Sequence, residues 1–170
     1  MRVPGTYRLS YGPFDGRAGR RALLACGLLT GAALMAGCAT KPVVTPVALT
    51  LAAGADVNPD ARGRASPLTV RVYALKTPGA FESADFFSLF EKDQATLGAE
   101  MVLREEALLR PGERKQLALT LPADAKAIGV MAAFRDLDRA RWREVRAVEA
   151  GKPLDLTVNF GARQIRIDAK

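Results

Sequence analysis

The sequence predicts a mainly β protein: an antiparallel β-sandwich of seven or eight short strands with one added helical segment. Three observations predict it. From Val47 onward, apolar and polar residues alternate over runs of a few residues, the period of strands buried on one face. Turn-forming clusters separate the runs, at Asn58-Pro59-Asp60, Pro111-Gly112, Pro122-Ala123-Asp124 and Gly151-Lys152-Pro153, in the manner of a sandwich. A single stretch, Ser83 to Gly98, has helical spacing instead.

In chain order, "VALTLAA" puts Val47, Leu49 and Leu51 on one face, and "PLTVRVYAL" does the same with Leu68, Val70 and Val72. "SADFFSLFEKDQATLG" places Phe86, Phe87, Leu89 and Phe90 at i, i+1, i+3 and i+4, one side of a helix. Ser83 is a candidate N-cap, Asp85 suits the positive start of a helix, and Gly98 suits its end. A further strand fits Met101 to Leu109. "KQLALTL" aligns Leu117, Leu119 and Leu121. "AIGVMAAF", apolar on both faces, reads as a central or doubly covered strand. "WREVRAV" pairs with it across "RDLDRAR". "LDLTVNF" and "QIRIDA" close the set with Leu154, Leu156, Val158, Phe160, Ile165 and Ile167.

The preceding residues read differently. Residues 1–37 hold five arginines and one acid, Asp15, which leaves 20 basic and 17 acidic residues from Cys38 onward. The basic excess of +7 therefore sits mostly in the N-terminal segment, and the balance beyond it is a solvated surface rather than a nucleic-acid footprint. Arg17, Arg20 and Arg21 precede fifteen uncharged residues, Ala22 to Ala36. That run is short for a membrane span, which takes roughly 20 residues, and fits a secretory signal peptide with a basic flank. Both general secretory and twin-arginine export fit "GRRALL" at Gly19–Leu24.

The run ends in "LMAGC", Leu34 to Cys38, which resembles the lipobox of bacterial lipoproteins, with Met35 where Leu is usual. Small Ala36 and Gly37 admit a protease to the backbone, and the Cys38 thiol is the nucleophile that takes the lipid. The resemblance implies cleavage before Cys38 and acylation of that residue. Ala39, in place of an Asp that favours inner-membrane retention, implies an outer-membrane destination. The expected organisation is a signal peptide over 1–37, a lipidated tether over 38–46 containing Pro42 and Pro46, and a β-sandwich over 47–170.

Chemistry-bearing constellations are few. Histidine is absent, so no Ser-His, Cys-His or zinc–histidine site exists. Cys26 lies inside the apolar run, and Cys38 is taken by lipid. Asp136 and Asp138 read as a solvated turn, and Glu105 and Glu106 point to opposite faces of an extended chain. In "RARWREVR", Arg139, Arg141 and Arg143 share a face opposite Trp142, as in a strand with a core Trp and a basic outer face. The expectation is of no enzyme, no cofactor and no metal.

Four blocks in order, "NPDARGRASPLTVRVYAL", "ADFFSLFEKD", "LRPGERKQL" and "IGVMAAFRDLDRARWREV", resemble the type VI secretion lipoprotein family (TssJ, SciN or VasD) along nearly all of the mature chain. Ala65 stands where that family often has Pro. The resemblance implies a transthyretin-like sandwich on an outer-membrane lipoprotein facing the periplasm. It also implies partners: the periplasmic domain of the inner-membrane protein TssM, and TssL through it. Contact in that family is made by the loop between the first two strands, here Ala55 to Ser66. The residues point to the same loop on their own. It is long for a hairpin connection, is stiffened by Pro59, and carries Asp56, Asp60, Arg62 and Arg64. The expected partner-binding residues are Val57, Asn58, Pro59, Asp60, Arg62 and Arg64, with Arg71 and Tyr73 as framework. A pilotin-like lipoprotein anchoring another envelope assembly is the alternative.

Overall fold

The computed structural model describes residues 42–170, which form one compact unit. The expected signal peptide and the expected lipidation site at Cys38 lie outside the described residues. Eight strands follow in order: β1 (Val44–Ala53), β2 (Leu68–Leu75), β3 (Met101–Leu109), β4 (Arg114–Pro122), β5 (Ala127–Ala132), β6 (Arg143–Ala147), β7 (Leu154–Phe160) and β8 (Ile165–Ala169). Two helices, α1 (Gly79–Ser83) and α2 (Phe86–Leu97), lie between β2 and β3.

The strands form two four-stranded sheets, ordered β4-β1-β7-β8 and β3-β2-β5-β6. The alternation seen in the sequence sets which face is inward. Val47, Leu49 and Leu51 of β1 meet Leu68, Val70 and Val72 of β2, together with Leu121, Val130, Leu156, Val158 and Phe160, in one core. Each fully buried side chain of this kind contributes about 1.5–3 kcal/mol. The β5–β6 hairpin forms as expected, with Val130 opposite Glu144.

Some details depart from the sequence reading. Among the eight strands all pairings are antiparallel except one: β1 runs parallel to β7, with Leu49 opposite Leu156. Strands β2 to β6 intervene in the chain, so a long crossover is available for a parallel pair. β1 begins at Val44, so the last three residues of the expected tether are strand. Pro46 is tolerated because it faces Thr120 of β4 ahead of the register with β7, which starts at Val47.

The helical segment is two helices. Asp85, not Ser83, caps α2: its carboxylate accepts the Ser88 N–H at 2.9 Å and the Ser88 hydroxyl at 2.6 Å. Ser83 is the last residue of α1. Gly98, at φ 51°, ends α2. The helices cover the outer face of the β3-β2-β5-β6 sheet, where Phe81, Leu89 and Leu97 join Tyr73, Leu75 and Met131 in a second core. Phe86 stacks on Phe90 and meets Trp142 edge-on, whereas Phe87 is 60% exposed. The predicted aromatic face is thus rotated, because Leu89 and Phe81 take the deepest places.

Candidate partner-binding surface at one end of the sandwich

The β1–β2 loop, residues 54–67, sits at one end of the sandwich and divides into buried and exposed parts. Val57 is fully buried in the main core. Asn58 is 3% exposed and has φ 49°, a left-handed conformation that Asn adopts more readily than most residues. Its Nδ2 donates to the Pro67 carbonyl at 2.8 Å, and its Oδ1 accepts the Arg135 N–H at 2.8 Å. The fold turns both of these expected partner-binding residues inward, where they fix the loop.

Beyond Asn58 the loop turns outward and becomes self-bonded. The Asp60 carboxylate accepts the backbone N–H groups of Arg62 and Arg64, both at 2.9 Å, and Nε of Arg64 at 2.8 Å. The Asp60 N–H donates to the Arg64 carbonyl, and Gly63, at φ 76°, closes the turn. The Arg64 side chain, together with these backbone donors, holds the Asp60 pKa below the usual carboxylate range. Pro59 and Asp60 are half-buried, while Ala61, Arg62 and Arg64 are exposed. The Asp60–Arg64 pair is local, so it shapes the loop and leaves Arg62 directed to solvent.

The β3–β4 turn is bonded to the base of this loop, its Gly112 N–H donating to the Gly54 carbonyl at 3.1 Å, and two other connections face the loop across a cleft. The segment between β5 and β6 carries Arg135, Asp136, Arg139 and Arg141, and the β7–β8 turn carries Arg163. Arg163 pairs with Asp136 at 2.8 Å. The Arg141 N–H donates to the Arg163 carbonyl at 2.8 Å, and the Ile165 N–H to the Arg141 carbonyl. A cleft of about 820 Å³ opens between the three connections, lined by Pro59, Asp60, Arg135, Arg139 and Arg163 among others.

Arg71 and Tyr73 stay away from this end and act as framework. Arg71 reaches Glu106 at 2.7 Å and the Phe90 carbonyl at 2.6 Å, and the Tyr73 hydroxyl reaches Asp93 at 3.2 Å. Burial raises the Tyr73 pKa. The expected basic outer face of β6 is not uniform. Arg143 lies over the Trp142 ring at 4.6 Å and donates to the Phe81 and Ala84 carbonyls at the end of α1. Those carbonyls lack helical partners, which draws the guanidinium inward. Sequence spacing gave no signal for this clamp or for the inward turn of Asn58.

Residues 45–163 match the sequence profile of the family described as "Type VI secretion lipoprotein, VasD, EvfM, TssJ". No curated protein matches the chain. Among solved structures, the type VI secretion lipoprotein TssJ1 of Pseudomonas aeruginosa is 42% identical, with a TM-score of 0.73 over 76% of this chain and 98% of that one. Lip of Serratia marcescens, a membrane-bound component of the type VI secretion system, is 27% identical, with a TM-score of 0.69 over 76% and 99%. A chain of a structure described as a T6SS protein TssM C-terminal domain from EAEC is 25% identical, with a TM-score of 0.62 over 72% and 97%. The profile match over most of the domain and the resemblance to TssJ1 agree with the two-sheet fold and its covering helices. The chain belongs to the type VI secretion lipoprotein family.

Proposed function

We propose that this chain is a lipid-anchored tether of a type VI secretion membrane complex, held in the outer membrane through Cys38. Its exposed β1–β2 loop binds the periplasmic domain of a TssM-like inner-membrane protein, and TssL through it. The role is binding, with no reaction to catalyse. The lipobox supports the anchor, and Ala39 after the cysteine supports the outer membrane. Family membership and a relative in a structure described as a type VI membrane complex, 26% identical, support the assembly. The observation that carries the loop's role is its preorganisation. The apex Pro59–Arg64, exposed from Ala61 onward, is held by Asp60 and Gly63 on a buried base, Val57 and Asn58. A loop already ordered loses less entropy on binding.

The test exchanges Pro59–Arg64 for a Gly/Ser segment of equal length and leaves Val57 and Asn58 in place. Calorimetry against the periplasmic domain of the cognate TssM-like protein is expected to show binding about 10³-fold weaker, the loss of two hot-spot side chains. A folded variant that binds within about twofold of wild type would refute the loop's role.

A further inference from the structure

We propose that the docking surface is not the β1–β2 loop alone but the three connections that line the cleft, and that Arg62, Arg135 and Arg139 receive carboxylates of the partner protein there. This rests on the binding role proposed above and extends it to residues outside the loop. Three observations converge.

The first is mechanical continuity. Asn58 ties the β1–β2 loop to the backbone of Arg135, and Arg141 ties the β5–β6 segment to the β7–β8 turn through two backbone hydrogen bonds. A partner that lands on the loop apex meets one rigid body whose cleft walls are the other two connections.

The second is charge. The three connections, residues 54–67, 133–142 and 161–164, hold six arginines and four aspartates. Residues 42–170 hold 19 basic and 17 acidic side chains, so the net +2 of the domain equals the net +2 of these connections. Within them, Arg64 is engaged by Asp60, Arg163 by Asp136, and Arg141 by Glu144. Arg62, Arg135 and Arg139 are exposed and form no ion pair among the described residues, against Asp56 and Asp138 in the same state.

The third is residue type. The domain has six lysines, at 76, 92, 115, 126, 152 and 170, and none lies in these connections. Arginine is the side chain that binds a carboxylate with two parallel hydrogen bonds and loses less to desolvation. It is also enriched among the residues that dominate interfaces. A surface that carries all of its positive charge as arginine is matched to an acidic protein surface.

The experiment uses the full acylated chain in detergent and the double variant R135E/R139E, which leaves the β1–β2 loop intact. Affinity for the TssM-like periplasmic domain is expected to fall about 100-fold or more, with the circular dichroism and melting temperature unchanged. Wild-type affinity is expected to fall as salt rises, and the variant's to depend on salt much less. Binding by R135E/R139E within twofold of wild type, while the Pro59–Arg64 exchange still abolishes it, overturns this proposal and leaves the loop's role standing. If wild type does not bind the domain at all, the proposed role fails and this surface fails with it. The other occupant is a membrane. If vesicles of phosphatidylcholine and phosphatidylglycerol bind wild type but not R135E/R139E, while binding to the protein domain is unchanged, the carboxylate assignment is wrong.

Discussion

Asn58 and Arg135 are 77 residues apart in sequence, yet the Asn58 side-chain oxygen accepts the Arg135 backbone N–H at 2.8 Å inside the protein. The bond couples the first interstrand loop to the exit of β5. It also makes the most buried polar side chain of the loop a hinge pin for the surface above it.

Replacing Asn58 with Ala is expected to destabilise the domain by about 2–4 kcal/mol. The Arg135 N–H and the Pro67 carbonyl lose their buried partner, and Ala has to adopt φ 49°. Asn58→Gly loses the same bonds without the backbone strain, so it should cost about 1–2 kcal/mol less. Urea unfolding of both variants checks the order; Gly no better than Ala would mean that the left-handed backbone is not held as described.

Asp60 and Asp85 both have pKa values lowered by hydrogen bonds, Asp60 from Arg64 and Asp85 from Ser88. A carboxylate whose folded pKa is depressed stabilises above its unfolded pKa, about 3.9, and that contribution is lost as pH falls through the folded value. Carboxyl NMR titration should therefore place both midpoints below about 3.9. Asp85→Asn, which keeps a capping oxygen but not the charge, should remove its share of the acid sensitivity while α2 stays folded. An Asp85 midpoint at or above the ordinary value would refute the cap assignment.

The parts of this fold that were legible in the sequence are those set by short-range period. Leu154 to Phe160 alternates cleanly and forms β7 over that same span, and Met101 to Leu109 is β3. What was not legible depends on contacts distant in sequence. Nothing near Asn58 announces a partner at Arg135, so the sequence alone does not show that its side chain turns inward. Arg143 looked like one of a row of surface cations because the α1 carbonyls that hold it are some 60 residues away. Phe81 lies outside the periodic run that marked the helix, yet it is fully buried and leads the second core.

Gly129 makes room for Phe81. A Cβ at Gly129 would stand 3.0 Å from both the Phe81 ring and Leu75 Cδ1, in the middle of β5. Gly129→Ala is expected to cost about 1–3 kcal/mol through overpacking. Pairing it with Phe81→Leu should recover part of that loss, since the two changes share one space. Strict additivity in a double-mutant cycle would show that the clash is absorbed elsewhere.

Cys38→Ser is expected to abolish acylation and release the domain from the membrane fraction, because only a thiol takes the diacyl group at the lipobox Leu34–Cys38. Each methylene buried by the acyl chains expected there adds about 0.8 kcal/mol to membrane binding, so the variant should lose its hold on the membrane. Labelled palmitate entering wild type and variant equally would contradict this.

Arg71 carries the last prediction, because it separates framework from binding. α2 departs from helical geometry at Lys92, at φ −137°. This leaves carbonyls in its preceding turn in need of donors. Arg71, 12% exposed, supplies them from β2: its guanidinium donates to the Phe90 carbonyl at 2.6 Å and the Leu89 carbonyl at 3.3 Å, pairs with Glu106, and lies 4.6 Å over the Phe90 ring. A lysine ammonium cannot fill the carbonyl, carboxylate and ring positions at once. Arg71→Lys is therefore expected to cost about 1–3 kcal/mol. Hydrogen exchange should accelerate in α2 and much less in β1 and β7. Affinity for the partner domain, measured well below the melting temperature, should stay within about threefold of wild type, since Arg71 lies outside the three connections that line the cleft. A large loss of binding with stability intact would move the partner surface onto the helical face, where exposed Phe87 would be the next residue to replace.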